Sequence, residues 1–401
     1  MLTLLKKNGP LRVLVTARAV SVVGDALSLV TLMVHVQSIL GKAVAVAALL
    51  LVGDFAPALL SPLTGVVGDR FDRRTVMIVC EVAQAALLAV IAFTLPPLPV
   101  LLLLVGLRAV VGQVFVPASR AAVPSLVADR DLGQANTALG LGSNSADVFG
   151  PFLAAVLLTF LDTRGVLLVD AVSFLLSALL LLRLRLPRLL VSAEPGEGVF
   201  ADARAGLAEI WHNRALRVIF IGFCGVVACT AIDDVAVLQL TMVSFGGSES
   251  TAGVVLGAVG IGLLAGYALL ARGSAQWSMV TLLVTGFVIS SAGNMLTGLA
   301  WGVAAAFALQ AVRGLGIAAM DVAHSTLIQR LVPADRTGRV FGNFYGGIGV
   351  AAAVSYIGGG LLLDAVGPEL TFLLSGGAGV LVALWAFAAA RSRGVEWAPA
   401  S

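Results

Sequence analysis

The sequence predicts an all-α membrane protein of twelve transmembrane helices in two pseudo-symmetric six-helix bundles. Three observations carry this: the composition, a series of apolar runs of membrane-spanning length, and a faint repeat across a central polar stretch. The chain of 401 residues is 59% hydrophobic and 12% charged, with a mean hydropathy of +1.03. Soluble domains carry roughly 25% charged residues. A water-soluble fold cannot hide this much apolar surface, so the solvent of the chain is lipid.

A membrane-spanning helix needs about 20 mainly apolar residues. Twelve such runs lie at about 11–40, 43–67, 75–95, 98–118, 137–161, 164–184, 215–243, 251–271, 278–298, 301–322, 339–362 and 369–390. The first is long enough for a tilted helix with an interfacial turn, and it meets the second at Gly41-Lys42 with almost no loop. Lys6 and Lys7 before it resemble the start of a signal peptide. However, the apolar run is too long for a signal core and contains Arg18 and Asp25, so it reads as a retained first helix. Glycine is abundant, at 45 residues. The series Gly253, Gly257, Gly260, Gly262, Gly266 in run 8 and Gly342, Gly346, Gly347, Gly349 in run 11 predict close helix packing.

Basic residues set the orientation. With the N-terminus cytoplasmic, the cytoplasmic segments hold 20 of the 25 Lys and Arg, the outer loops two and the helices three. An even number of runs then places both termini in the cytoplasm of a multi-pass protein of the cell membrane. The longest polar stretch, about 185–214, ends in an amphipathic segment from Phe200 to His212 and reads as a linker on the membrane surface. It predicts an N-terminal bundle over 1–190, a linker over 191–213 and a C-terminal bundle over 214–401. The halves echo one another. Arg108 in run 4 and Arg313 in run 10 are 205 residues apart, and Asp25 in run 1 precedes Asp233 in run 7 by 208. Two related six-helix halves are a known plan among transporters.

Several function classes find no support. The net charge of +3 is too small and scattered for nucleic-acid binding. Cys80, Cys224 and Cys229 fall in apolar runs with neither disulfide nor metal spacing, and His35, His212 and His324 are far apart. No metal or cofactor is expected. No phosphate-binding loop of the Gly-x4-Gly-Lys-Ser/Thr kind suggests ATP drive. The loops are short and hold no nucleophile–base constellation, so an enzyme is not expected. A membrane sensor would need a sizeable soluble domain or long loop.

Between runs 2 and 3 stands Gly65-Val66-Val67-Gly68-Asp69-Arg70-Phe71-Asp72-Arg73-Arg74. This segment resembles the signature loop of the major facilitator superfamily, although a glycine is commoner where Asp72 stands. The Arg-Phe-Asp-Arg-Arg version is similar to the drug-efflux branch that includes macrolide-efflux and enterobactin-exporter proteins. Arg108, Gly112 and Pro117 resemble the motif of the fourth helix. Asp147-Val148-Phe149-Gly150-Pro151 resembles the Gly-Pro of antiporters in the fifth, with a degenerate glycine spacing upstream. Leu331-Val332-Pro333 with Arg336-Thr337-Gly338-Arg339 resembles the loop between helices 10 and 11 of that branch. The resemblance covers the whole chain. It implies the major facilitator fold and a latch at Gly65, Asp69, Arg70, Arg73 and Arg74 that holds the cytoplasmic side shut and breaks as the halves rock. Ordinary positive-inside anchoring is the alternative. Gly150 and Pro151 weaken the fifth helix by removing a backbone donor, as an antiporter feature or as a packing kink.

Ionisable groups inside a membrane are costly and usually functional. Arg108 lies in an otherwise apolar run and stays protonated, so it needs a counter-charge. The candidate acids are Asp25, Asp54, Glu81, Asp147, Asp170, Asp233, Asp234 and Asp321. Glu81, nearer the cytoplasmic end, is placed to reach basic loop residues. Burial favours a neutral carboxyl and a nearby arginine favours a charged one; the competition allows proton exchange near neutral pH. In the resembled family, helices 1, 4 and 7 line the central cavity. Asp25, Asp233 and Asp234 are therefore candidate carriers of a proton or a cationic substrate, with Arg108 as gating partner and Asp147 as a further acid. A fixed ion pair is the alternative for each. Asp233 and Asp234 cannot share one helix face. Asp321 and His324 share a face beyond Arg313, as a titrating pair or an interfacial anchor.

These features predict a monomeric transporter in the lipid bilayer, exporting amphipathic, antibiotic-like small molecules in exchange for protons. The alternative is a dedicated exporter of one endogenous metabolite or siderophore.

Overall fold

The computed structural model describes residues 1–40, 71–186, 199–246, 249–273 and 277–391, with seven isolated positions between 48 and 64. The second apolar run and the junction at Gly41-Lys42 lie largely outside the described residues. The described chain is helical throughout. A short α1 (Leu2–Lys7) leads into α2 (Gly9–Leu40), α3 (Arg73–Thr94), α4 (Leu98–Ala122), α5 (Leu132–Leu157) and α6 (Thr163–Leu181). After the linker helix α7 (Val199–His212) come α8 (Arg214–Thr230), α9 (Asp233–Gln239), α10 (Glu249–Gly273), α11 (Met279–Thr297), α12 (Val303–Leu331) and α13 (Thr337–Arg391). Among the described residues, nine stretches are long and apolar enough to cross a membrane. The last holds two predicted runs. Gly367, at φ 79°, is non-helical and precedes Pro368, which separates run 11 from run 12.

Exposure is inverted relative to a water-soluble fold. Leu103, Ile357 and Leu361 are each 70% exposed, whereas Glu81 and Asp170 are fully buried. In lipid the arrangement is natural, because leucine side chains face hydrocarbon at no cost and charges retreat among the helices.

By contacts the chain divides into two units, Met1–Leu207 with Pro333–Gly346, and Ala208–Val332 with Gly347–Ser401. In the first unit α2 packs on α5 and α6, and α3 packs on α4 and α6. Leu14, Met77, Phe115, Leu139 and Leu181 interlock at one level, and Leu32, Leu88, Val105 and Phe174 at another. Asp72 caps α3 by accepting from the Thr75 amide at 2.9 Å and hydroxyl at 2.7 Å. This gives the departure from glycine at that position a structural role. Arg73 is 5% exposed and donates to the carbonyls of Ala121, at 2.6 Å, and Ala334. Arg74 donates to the carbonyls of Leu181, at 3.1 Å, and Leu182. Each arginine thus places a cation on the orphan carbonyls of a helix C-terminus, α4 for Arg73 and α6 for Arg74.

The linker helix is tied to the start of α13 within the first unit. Asp202 pairs with Arg339 at 3.2 Å, and Asn343 donates to the Ala203 carbonyl at 2.9 Å. Gly206 leaves no room for a side chain. A Cβ there would stand 2.8 Å from Asn343 Nδ2 and 2.9 Å from Arg339 Cβ.

In the second unit α12 packs between α10 and α11. Gly262 and Gly314 lie against the backbones of α12 and α10 respectively, and a Cβ on Gly286 would stand 2.8 Å from the Met320 amide nitrogen of α12. Backbones can approach this closely only without side chains. Gly253 and Gly257, expected in the same role, face open space.

The seventh run, expected as one helix over 215–243, is interrupted. Asn213 starts α8 by accepting from the amides of Ala215 and Leu216, and α8 stops at Thr230. The chain restarts at Asp233 and widens into a π turn at Leu240–Ser244. The Ile232 amide freed at the break donates to the Ser355 hydroxyl of α13 at 3.1 Å. Gly359, one turn further on, leaves space for the Ile232 side chain. Mean hydropathy does not reveal such a break, because the run as a whole stays apolar enough to span the membrane despite Asp233 and Asp234.

Candidate functional site

The first unit contains a cavity of about 360 Å³. Its polar wall is built by Arg18 and Asp25 of α2, Gln84 of α3, and Arg108 and Gln113 of α4; Val22, Leu29 and Val105 are among its apolar lining. Arg108 is 8% exposed and forms an ion pair with Asp25, whose side chain remains 40% exposed at the cavity. The counter-charge that the sequence demanded for Arg108 is therefore the acid of the first helix. Arg18 lines the same cavity, its guanidinium 5.3 Å from the Phe115 ring centroid. Gln84 reaches the site because Gly112 has no side chain; a Cβ there would stand 2.9 Å from Gln84 Oε1.

Two acids stand behind this wall. Asp170 of α6 is fully buried, hydrogen-bonded with the hydroxyls of Ser28 and, at 3.1 Å, Ser173. It acts electrostatically on both Asp25 and Arg108. Gly24 of α2 lets this helix meet the Asp170–Ser173 turn. Glu81 of α3 is also fully buried. Among the described residues it interacts with Arg18 and Asp25; the hydroxyls of Ser21 and Ser177 are near, yet neither meets hydrogen-bond geometry.

In the second unit Arg313 of α12 pairs with Asp233 at 2.5 Å, both side chains under a tenth exposed. Asp234 is exposed, as the angular offset of adjacent helical residues requires. The Asp321 carboxylate accepts from Tyr267 Oη at 2.8 Å. His324 lies against Phe223, with ring centroids 4.7 Å apart, and donates from Nδ1 to the Met320 carbonyl at 3.0 Å.

The structure thus brings Asp25 to Arg108 and Asp233 to Arg313, and it separates Asp234 from Asp233. Gly65, Asp69 and Arg70 lie outside the described residues. So do the side chains of Asp147, Gly150 and Pro151, although α5 continues through those positions. Arg336 is exposed beside Asp335 at 3.8 Å, whereas Arg339 is held by Asp202. Sequence reasoning did not single out Arg18, Gln84 or Asp202 as site residues, and it named Asp170 only among the eight candidate acids for Arg108. The seven-residue spacing of Arg18 and Asp25 on one helix face was a signal for the first of these.

A bundle of lipid-facing helices with paired charges around an internal cavity defines a membrane transporter rather than an enzyme. The chain belongs to the Major Facilitator Superfamily, whose sequence profile matches residues 14–240 and 235–401. It is 26% identical over 390 residues to YfiS, an uncharacterized MFS-type transporter of Bacillus subtilis (strain 168), covering 93% of this chain and 91% of the relative. It is 23% identical over 380 residues to macrolide efflux protein A of Streptococcus pyogenes, covering 90% of each chain. Among solved structures, a bacterial homologue of the iron transporter ferroportin in an outward-facing state aligns with a TM-score of 0.79 at 17% identity, covering 96% of this chain and all of that one. This last likeness concerns the fold alone.

Proposed function

We propose that the protein is a secondary exporter that expels amphipathic small molecules from the cell in exchange for protons. One observation carries the reading: the Asp25–Arg108 ion pair stands in the wall of a cavity lined by both polar and apolar side chains. Burial disfavours a charged carboxylate and an adjacent arginine favours it, so movement of the arginine changes how readily such a group holds a proton, and the apolar lining receives the hydrophobic part of a cargo. The efflux role named for the macrolide relative supports the direction and the class of cargo. The bias of basic residues supports cytoplasmic termini in the cell membrane; in this reading residues 1–190 and 214–401 are the two rocking bundles of a monomer.

The test uses inside-out vesicles from cells overproducing the protein, with an imposed pH gradient and a panel of macrolides, lipophilic dyes and labelled metabolites. Gradient-dependent accumulation of several unrelated amphipathic compounds is expected. Accumulation of a single metabolite would replace this reading with that of a dedicated exporter. Equal uptake with and without the gradient would sink proton coupling.

A further inference from the structure

The cavity of the first unit carries more cation than its own carboxylate answers. Its lining holds two guanidiniums, Arg18 and Arg108, and one carboxylate, Asp25. Asp25 is engaged by Arg108. Arg18 is half-buried, and its guanidinium stands 5.3 Å from the Phe115 ring centroid. Among the described residues, no carboxylate forms an ion pair or a hydrogen bond with it. Glu81 lies behind the wall, fully buried, and neither of its oxygens accepts a hydrogen bond. Arg120, buried on α4, adds a further positive charge in the same region.

The charges stand at two levels. Arg18 precedes Asp25 by seven residues on α2, and Phe115 follows Arg108 by seven on α4. Seven residues of helix span roughly 10 Å. One level is the closed pair of Asp25 and Arg108, and the other is Arg18 against Phe115. Between them Val22 of α2 and Ala109 and Gly112 of α4 line the cavity. A guanidinium beside a ring still presents N–H donors, and their planar fork matches two oxygens of an oxyanion. A cation without a partner inside a membrane-spanning bundle is costly. A bound anion removes that cost.

We propose that Arg18 receives the anionic head of the cargo, and that the cavity takes amphipathic compounds with one oxyanionic group, a carboxylate or a sulfonate, on an apolar body. The body lies along Val22 toward the Asp25–Arg108 pair, where the Asp25 carboxylate repels a second anion. This rests on the export reading above and gives its cargo a charge class.

Three tritium-labelled compounds with one naphthalene body test the idea: a sulfonate, a neutral methyl sulfone and a trimethylammonium. None of these groups titrates near neutral pH. Binding is measured by equilibrium dialysis against the purified full chain in phosphatidylcholine nanodiscs. The unaltered protein should hold the sulfonate about tenfold more tightly than the sulfone, roughly the yield of one charge-assisted hydrogen bond. The trimethylammonium compound should bind no better than the sulfone. Arg18→Gln should erase the preference and keep the affinity for the sulfone, and Arg18→Lys should keep part of the preference. Circular dichroism and retained sulfone binding check that each variant folds. Equal binding of sulfonate and sulfone by the unaltered protein, tightest binding of the ammonium compound, or an undiminished preference in Arg18→Gln would overturn the proposal. Displacement of the sulfonate when phosphatidylglycerol replaces part of the lipid would assign Arg18 to a lipid headgroup and likewise overturn it. Sulfonate preference without gradient-driven export would sink the export reading and leave the anion site standing. Export of neutral or cationic compounds without that preference would do the reverse.

Discussion

Arg108 and Asp25 each make the other tolerable inside a membrane. Removing one partner of a fully buried ion pair costs about 3–5 kcal/mol, and the cost here is smaller because Asp25 is 40% exposed at the cavity. Arg108→Ala should therefore lower thermal stability as well as export, while Arg108→Lys, which keeps the charge and loses the planar fork, should retain part of both. Thermal unfolding in detergent alongside vesicle transport separates the outcomes; equal behaviour of the two variants would argue against a charge role. Asp25→Asn should abolish pH-driven export while leaving expression unchanged, because the amide holds its place at the cavity but cannot take a proton. Export by Asp25→Asn at the normal rate would move the coupling role to another acid. The pairing of Arg108 with Asp25 was open in the sequence, which offered eight candidate acids. Only distance in the folded bundle selects among them, since helices packed side by side can be far apart in the chain.

At the scale of the helix, the break between α8 and α9 and the contact of α10 with α12 carry most of the shape around the second-unit charges. Ser355 takes the hydrogen bond of the Ile232 amide in a buried place. Ser355→Ala should destabilise the protein by about 1–3 kcal/mol, the usual cost of leaving a buried donor unsatisfied, read as a lower unfolding temperature. An unchanged unfolding temperature would mean that the break finds another acceptor. Gly314→Leu should be worse, because its Cβ would run into the backbone of α10, whereas Gly253→Leu should be nearly neutral where open space awaits it. Gly253 and Gly262 stand in one series in the sequence, yet only Gly262 meets the backbone of α12. A small residue every fourth position marks a face that can pack, and only the neighbouring helix decides which positions on that face are covered.

At the scale of the whole molecule, the proposed engine is the pH gradient and the moving parts are the two bundles. Export should stop when a protonophore collapses the gradient while ATP is maintained, and persistence of export under those conditions would refute proton coupling. The linker helix is part of the same question. Asp202→Ala removes the partner of Arg339 and should change the rate of transport more than the affinity for cargo, since neither residue lines the cavity. An altered cargo affinity with an unchanged maximal rate would point instead to a distant effect on the site.

Composition, run length and charge bias determined on their own that this chain lies in lipid and crosses it many times, and that Arg108, Arg313, Asp25 and Asp233 are the groups to explain. They could do so because hydrocarbon imposes strict rules: a span must be long and apolar, and any charge within it needs a reason. The family was legible as well, because Gly65 to Arg74 and its companion motifs survive as short local strings. Tertiary structure alone decided the partners: Asp25 for Arg108, Asp233 for Arg313, Asp170 behind the cavity, and Ser355 at the interruption of the seventh run. Those are contacts between helices separated by tens to more than a hundred residues. Their specificity comes from which faces meet, a property of packing that no single stretch of sequence contains.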